Sequence, residues 1–197
     1  LLKINGEKMS KSLGNFAMLK DLFTSYHPEV IRYYLISSHY RSSLNFDNES
    51  LDQARSALTR LYQAVSLAPS KESDFHDDSV KEFIDSMNDD LNTPEALSIL
   101  FRLAKSINSC QDTHDQMMYA STMRELGKVL GLLNDSPEAF FQYGANLTDE
   151  EISKKIEERN QARDTKDFQK ADQIRDELAA QGILLDDSSD GTTWKKS

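Results

Sequence analysis

Residues that turn a chain are scarce in this one: seven glycines and four prolines in 197 residues. Between them run long stretches in which apolar side chains recur at alternating intervals of three and four. Leu51, Ala54, Leu58, Leu61 and Val65 make one such stripe, and Leu97, Leu100, Ala104 and Ile107 a second. Tyr119, Met123, Leu126, Leu130 and Leu133 make a third. Alternation of three and four puts the apolar residues on one face of an α-helix. Helices with one apolar face each bury those faces best against one another, so the chain is expected to be mainly α, with an antiparallel helical bundle at its centre. Met117, Met118 and Met123 are expected to fill that core.

Start and stop signals divide the chain further. His27-Pro28 separates two short helices, with Pro28 in the first turn of the second, where a missing N–H costs nothing. Tyr33, Tyr34, Leu35 and Ile36 make that helix apolar over much of its circumference, which predicts burial. Asp47 or Asn48 caps the helix carrying the first stripe. "APSKESDFHDDS" has the composition of a solvated linker and precedes a helix expected over 80–87. In "LNTPEAL", Thr93 is expected as N-cap with Pro94 at the first helical position. Thr148 and Glu151 have the spacing of a capping box, and a further helix is expected from Asp167 to a stop at Gly182. The period then changes: 183–185 and 192–194 read as strands around an Asp-Gly turn, a small hairpin. The expected organisation is therefore 1–46, a bundle over 47–134, a connector over 135–147 that takes in all but the first residue of "NDSPEAFFQYGAN", and a helix–helix–hairpin module over 148–197.

Composition excludes several classes of function. No apolar run approaches the roughly 20 residues of a membrane span. A lone Cys110 and four scattered histidines give neither a disulfide framework nor a metal-ligand spacing, so no metal residue is assigned and a reducing cytoplasm is expected. The net charge of −10 argues by itself against a nucleic-acid partner, whose phosphates favour a basic surface. Lys154, Lys155, Arg159 and Arg163 nevertheless recur at helical spacing, followed by Lys166, Lys170 and Arg175. They read either as a local basic stripe or as a solvated helix laced with ion pairs. The chain opens on "LLKI" without a methionine, and a longer parent protein is expected.

One short stretch carries chemistry: "GEKMSKSLGNF". Two lysines three residues apart on a turn-rich segment are usually solvated charges. The order Lys8-Met9-Ser10-Lys11-Ser12, however, resembles the second signature loop of the class I aminoacyl-tRNA synthetases. "RYYLISSHYRSSLNF", "MNDDLNTPEAL", "KDFQKADQIRDEL" and "DGTTWK" follow in order, and together they resemble the bacterial cysteinyl-tRNA synthetases along the whole chain, in their C-terminal portion. The resemblance implies a parent ligase that forms cysteinyl adenylate from cysteine and ATP and transfers cysteine to tRNA(Cys). It also implies that the nucleotide-binding fold and a zinc site lie in a part absent from this chain, so the chain alone is expected to be inactive. By the same resemblance Lys8 and Lys11 are catalytic, stabilising charge on the departing pyrophosphate, and Lys11, Ser10 and Ser12 contact the ATP phosphates. Compact ammonium groups on a closing loop suit that task. A monomer, and a stem-contact segment after the loop, are implied as well.

For the tail, bases of a single strand are recognised by stacking and by hydrogen bonds to their edges. Phe168 can stack, Asp172 shares its helix face, and Asp172 and Asp187 can accept from a guanine edge; Arg163 can stack or hold phosphate. The same residues have plain structural readings, Phe168 as a core anchor and Asp172 as a partner of Arg175. Where some relatives carry tryptophan, this chain has Phe168, which keeps the stacking face and loses the indole donor. Arg41 is expected on tRNA phosphate, Arg32 there or in an internal ion pair, and His39, Tyr40 and Trp194 in packing. Two other readings share part of the pattern. A cysteine ligase acting on an amino sugar would have no use for the tail, and a non-catalytic RNA-binding module would have no use for Lys8 and Lys11.

Overall fold

The computed structural model of the chain describes residues 2–4, 7–8, 19–69, 73–144, 147–188 and 191–196, among which are nine helices and two small sheets. They form two compact units, Leu1–Pro137 and Glu138–Ser197.

The first unit opens with strands β1 (Leu2–Ile4) and β2 (Glu7–Lys8), then helices α1 (Leu19–Leu22) and α2 (Pro28–Ile36) and strand β3 (Leu44–Phe46). β1 lies centrally, antiparallel to β2 and parallel to β3. Four long helices follow: α3 (Asn48–Leu67), α4 (Asp77–Asn88), α5 (Thr93–Ser109) and α6 (Thr113–Val129). α5 packs against α3, α4 and α6, and α3 also packs against α2. The expected stripes are the core: Leu58, Leu61, Leu100 and Ile107 are fully enclosed. Burying one such side chain contributes ~1.5–3 kcal/mol relative to leaving it in water. Met123 is enclosed as expected, while Met117 and Met118 are only half-buried.

Side-chain caps set the helix starts, and they move several expected boundaries. Asp47 caps α3 by accepting from the Ser50 N–H at 2.7 Å. Asn92, not Thr93, caps α5 by accepting from the Glu95 N–H, so Pro94 falls one position later than expected. α4 starts three residues before Val80 because the His76 imidazole accepts from the Ser79 N–H. The third stripe does not stay helical to Leu133. α6 ends at Val129, and Gly131 (φ 71°) and Leu133 (φ 58°) turn the chain so that Leu132 and Leu133 enter the core from a loop. Only glycine fits at 131: a Cβ there would stand 2.2 Å from the Arg32 Nε, which donates to the Leu130 carbonyl.

α2 is not buried all round. Leu35 is 49% exposed, and the enclosed face instead carries Glu29 with Val30, Ile31, Tyr33 and Tyr34. Among the described residues four donors converge on the Glu29 carboxylate. Oε2 accepts from the Tyr62 hydroxyl and the Leu133 N–H, both at 2.8 Å. Oε1 accepts from the Asn134 N–H at 2.9 Å and its side-chain amide at 3.1 Å. His27 accepts from the Glu29 N–H at Nδ1, which leaves Nε2 to donate to Asp135 at 2.9 Å. A buried charge is tolerable only when so paired, and this one ties the start of α2 to the loop after α6.

The second unit includes most of α7 (Pro137–Gln142), a short helix inside the expected connector, then α8 (Asp149–Asp164), α9 (Phe168–Ala180) and the hairpin β4 (Ile183–Ser188) and β5 (Gly191–Lys196). Thr148 and Glu151 close the capping box. Asp167 caps α9, and Gly182 at φ 78° carries the chain into β4. Ile152, Ile174, Leu178 and Ile183 form its small core, with Ile156, Leu185 and Trp194 packed alongside.

Candidate nucleic-acid interface

Of the residues expected to serve the first unit's chemistry, Ser10, Lys11 and Ser12 lie outside the described residues. Lys8 is the second residue of β2, opposite Lys3 of β1.

Arg41 lies in the turn between α2 and β3, 67% exposed, where the Asp90 carboxylate holds it at 2.8 Å. The Tyr40 hydroxyl donates to the same carboxylate at 2.6 Å and accepts from the Arg41 Nε at 2.9 Å. His39 approaches the Asp90 carbonyl at 3.1 Å. The hydrogen bonds from Tyr40 and Arg41 hold the Asp90 carboxyl below the usual carboxylate range, and the same contact with Asp90 raises the Arg41 value. Asp90 and Leu91 both occupy the left-handed region, φ 53° and 55°, which costs a non-glycine residue energy. Packing does not account for Tyr40, expected to be enclosed but 58% exposed; it is spent on Asp90 instead. Among the described residues Arg32 makes no ion pair: its Nε donates to the Leu130 carbonyl. A groove of about 980 Å³ runs between α2, β3 and α3, lined by Tyr34, Ser37, Ser43, Asn45 and Arg60 among others.

In the second unit, the stretch between α8 and α9 presents the expected readers. Lys166 adopts φ 60°, Asp167 caps the next helix, and Phe168 starts it. Phe168 is 62% exposed and so is no core anchor. Asp172 stands exposed one turn further along α9. Arg163, in the last turn of α8, donates to the Asp187 Oδ2 at 3.1 Å.

The sequence reading missed Arg159. It is counted there as one more cation in a stripe, yet it is 6% exposed and grips Asp187 through two parallel hydrogen bonds, at 2.9 and 2.7 Å. Thr192 of β5 donates to Asp187 at 2.7 Å. The paired guanidinium first, then Thr192, hold the Asp187 carboxyl well below the usual carboxylate range. Lys155 pairs with Glu177 at 2.9 Å. Much of the basic stripe is thus laced into ion pairs within the unit. Only the spacing of Arg159 and Arg163, four apart on one helix face, hinted at a shared partner. Trp194 packs beside the small core, as expected.

Among the described residues, no group of three or more histidine, cysteine, aspartate or glutamate side chains comes together to hold a metal. Nor, among them, is any helix long and apolar enough to cross a membrane.

Three family models match successive stretches: a class I tRNA synthetase catalytic domain over residues 1–56, a DALR domain over 82–134, and a cysteinyl-tRNA ligase anticodon-binding domain over 148–194. With the helical bundle and the helix–helix–hairpin unit, that order defines a class I aminoacyl-tRNA synthetase sequence. Relatives narrow it. The chain is 45% identical to a cysteine–tRNA ligase of Hydrogenovibrio crunogenus, over 99% of its own length and 43% of the relative's. Against those of Azotobacter vinelandii and Legionella pneumophila (strain Corby) it is 46% and 47% identical, over 98% and 100% of its length and 43% of theirs. The sequence is of the cysteinyl-tRNA synthetase family, and it spans less than half the length of the curated relatives it matches.

Proposed function

We propose that this chain is the C-terminal, tRNA-binding part of a cysteine–tRNA ligase that activates cysteine with ATP and esterifies it to tRNA(Cys). The observation that carries this reading is the second unit. It matches an anticodon-binding model over 148–194 and holds a large aromatic, Phe168, out in solvent between Arg163 and Asp172. An exposed phenylalanine is costly in water and well suited to stack on an unpaired base, worth ~1–3 kcal/mol per base. Asp172, exposed one helical turn away, is the acceptor for the edge of the stacked base in this reading. In the first unit, Arg41 is the cation offered to tRNA phosphate, with Asp90 and Tyr40 holding it in place.

In the parent reaction a carboxylate oxygen of cysteine attacks the α-phosphorus of ATP as the bond to pyrophosphate breaks. Lys8 and Lys11, with Ser10 and Ser12, meet the charge that grows on the departing phosphates. Charge stabilised where it develops is typically a large catalytic term. The domains proposed are 1–46, ending the catalytic region and contacting the stem, 47–134 as bundle, 135–147 as connector and 148–197 as anticodon reader. The parent works as a monomer in the cytoplasm.

Titration of the chain against tRNA(Cys), and against a transcript with the first anticodon base changed, tests the reading at one stated salt concentration. Preference for the normal anticodon is expected; equal or absent binding refutes it. The chain alone is expected to catalyse no cysteine-dependent pyrophosphate exchange, and measurable exchange would overturn that part.

A further inference from the structure

Asp187 looks, from sequence, like a base acceptor, yet its acceptor positions are already occupied within the unit. A carboxylate offers about four acceptor positions on two oxygens. Among the described residues all are taken: Oδ1 by the Arg159 Nη1 at 2.9 Å and the Thr192 hydroxyl at 2.7 Å, Oδ2 by the Arg159 Nη2 at 2.7 Å and the Arg163 Nη1 at 3.1 Å. An incoming base N–H must displace one of these donors. Displacing Arg159 would strand a guanidinium that is 6% exposed, and a buried, unpaired charge is strongly disfavoured. Arg163 differs. It is 48% exposed, gives Asp187 one hydrogen bond, and keeps Nε and Nη2 outside that contact.

We infer that Asp187 is a positioning residue: backed by the buried Arg159 and by Thr192, it fixes Arg163, and Arg163 is the group that meets a phosphate of the bound RNA. The inference rests on the reading of this unit as RNA-binding. A planar guanidinium already oriented on one edge loses less freedom on binding phosphate than a free one. The charges face one another as follows. Arg159 and Arg163 on α8 and Asp187 on β4 make the cluster, and Asp172 on α9 acts on Arg159 from further away.

A double-mutant cycle tests this on the full 197-residue chain, with a tRNA(Cys) transcript as probe and affinity measured across salt concentrations. Each protein is checked for folding by the emission of Trp194. Losing one single-strand phosphate contact lowers the salt slope by about 0.7, or about fivefold in affinity at 0.1 M salt. Arg163→Ala and Asp187→Asn are each expected to show that loss, and the double variant to bind no more weakly than Arg163→Ala. The sign matters. Removing a negative charge beside a polyanion should by field alone tighten binding, so weakening by Asp187→Asn needs a lost contact. If Asp187→Asn weakens binding equally in the Arg163→Ala background, Asp187 meets RNA directly and the inference fails, while the RNA reading stands. If Asp187→Asn leaves affinity unchanged or tighter and Arg163→Ala weakens it, Arg163 needs no anchor and the inference fails again. Wild-type binding that is absent, or unaltered by Arg163→Ala, overturns the RNA role of this unit itself. Should Asp187→Asn not fold, the pair Arg159→Met with Asp187→Leu, which leaves no buried charge behind, enters the same cycle in its place.

Discussion

Replacing Glu29 by glutamine removes one negative charge and keeps the shape, and the geometry says what that costs. The glutamine amide can sit two ways. With its NH2 at the Oε2 position it faces the Tyr62 hydroxyl, which can rotate to accept, and the Leu133 N–H, which cannot. With its NH2 at Oε1 it faces the Asn134 side chain, which can flip, and the Asn134 backbone N–H, which cannot. Either way one buried backbone donor is left opposed by another donor, a loss of ~1–3 kcal/mol. In a unit of this size each kcal/mol lowers Tm by about 4 °C, so the expected drop is about 4–12 °C. Glu29→Ala orphans all four donors and should cost ~3 kcal/mol or more. Thermal and urea unfolding followed by far-ultraviolet circular dichroism measure both. A Glu29→Gln loss below ~0.5 kcal/mol, less than a typical net hydrogen bond, would mean that the carboxylate is not the lock described.

The same lock has an alkaline limb. Burial first, then the hydrogen bond to Glu29, hold the Tyr62 hydroxyl protonated well above the usual tyrosine value near 10. Its contribution is therefore full below pH ~10 and declines as pH rises further; Tyr62→Phe should remove that part of the decline, and an unchanged alkaline profile would count against it. Asp187 has the opposite sign. Its value is depressed in the folded state, so its contribution is present above the unfolded value near 4 and is lost as pH falls below that. Acid unfolding monitored by Trp194 should accordingly be shallower in Asp187→Asn. Leu178→Ala, in a core of four enclosed residues, should cost ~2–5 kcal/mol, with the Trp194 transition moving to lower denaturant. Phe168→Ala should weaken binding of tRNA(Cys) by ~1–3 kcal/mol with little change in Tm. A large drop in Tm would mark Phe168 as structural after all.

Periodicity and capping chemistry made much of this protein legible before any coordinates. The stripes through Leu58 and Leu100, the capping box at Thr148, the stop at Gly182 and the change of period at Ile183 are local, and local patterns fix local structure. Misplaced boundaries came from competition between neighbours. Asn92 outbids Thr93 for the cap, and His76, seldom counted among capping residues, starts α4 early. The loop after Val129 keeps the spacing of a helix because Leu130 and Leu133 are buried just as helical residues would be; only the backbone sign at Gly131 and Leu133 tells the difference.

What the sequence determined by itself was the long helices, the C-terminal hairpin and the motifs that mark the family, since each is written in residues within one or two helical turns of each other. The pairing of β1 with β2 and β3, and α7 within the connector, were not legible there. The tertiary structure decided which charges are spent. Glu29 looks like any surface glutamate on an amphipathic helix, yet a loop more than 100 residues away converges on it. Arg159 looks like one lysine or arginine among several, yet β4 brings Asp187 against it from 28 residues away. A side chain's charge is written in the sequence, but whether water or a buried partner solvates that charge depends on which segments meet, and that is fixed only when the chain is folded.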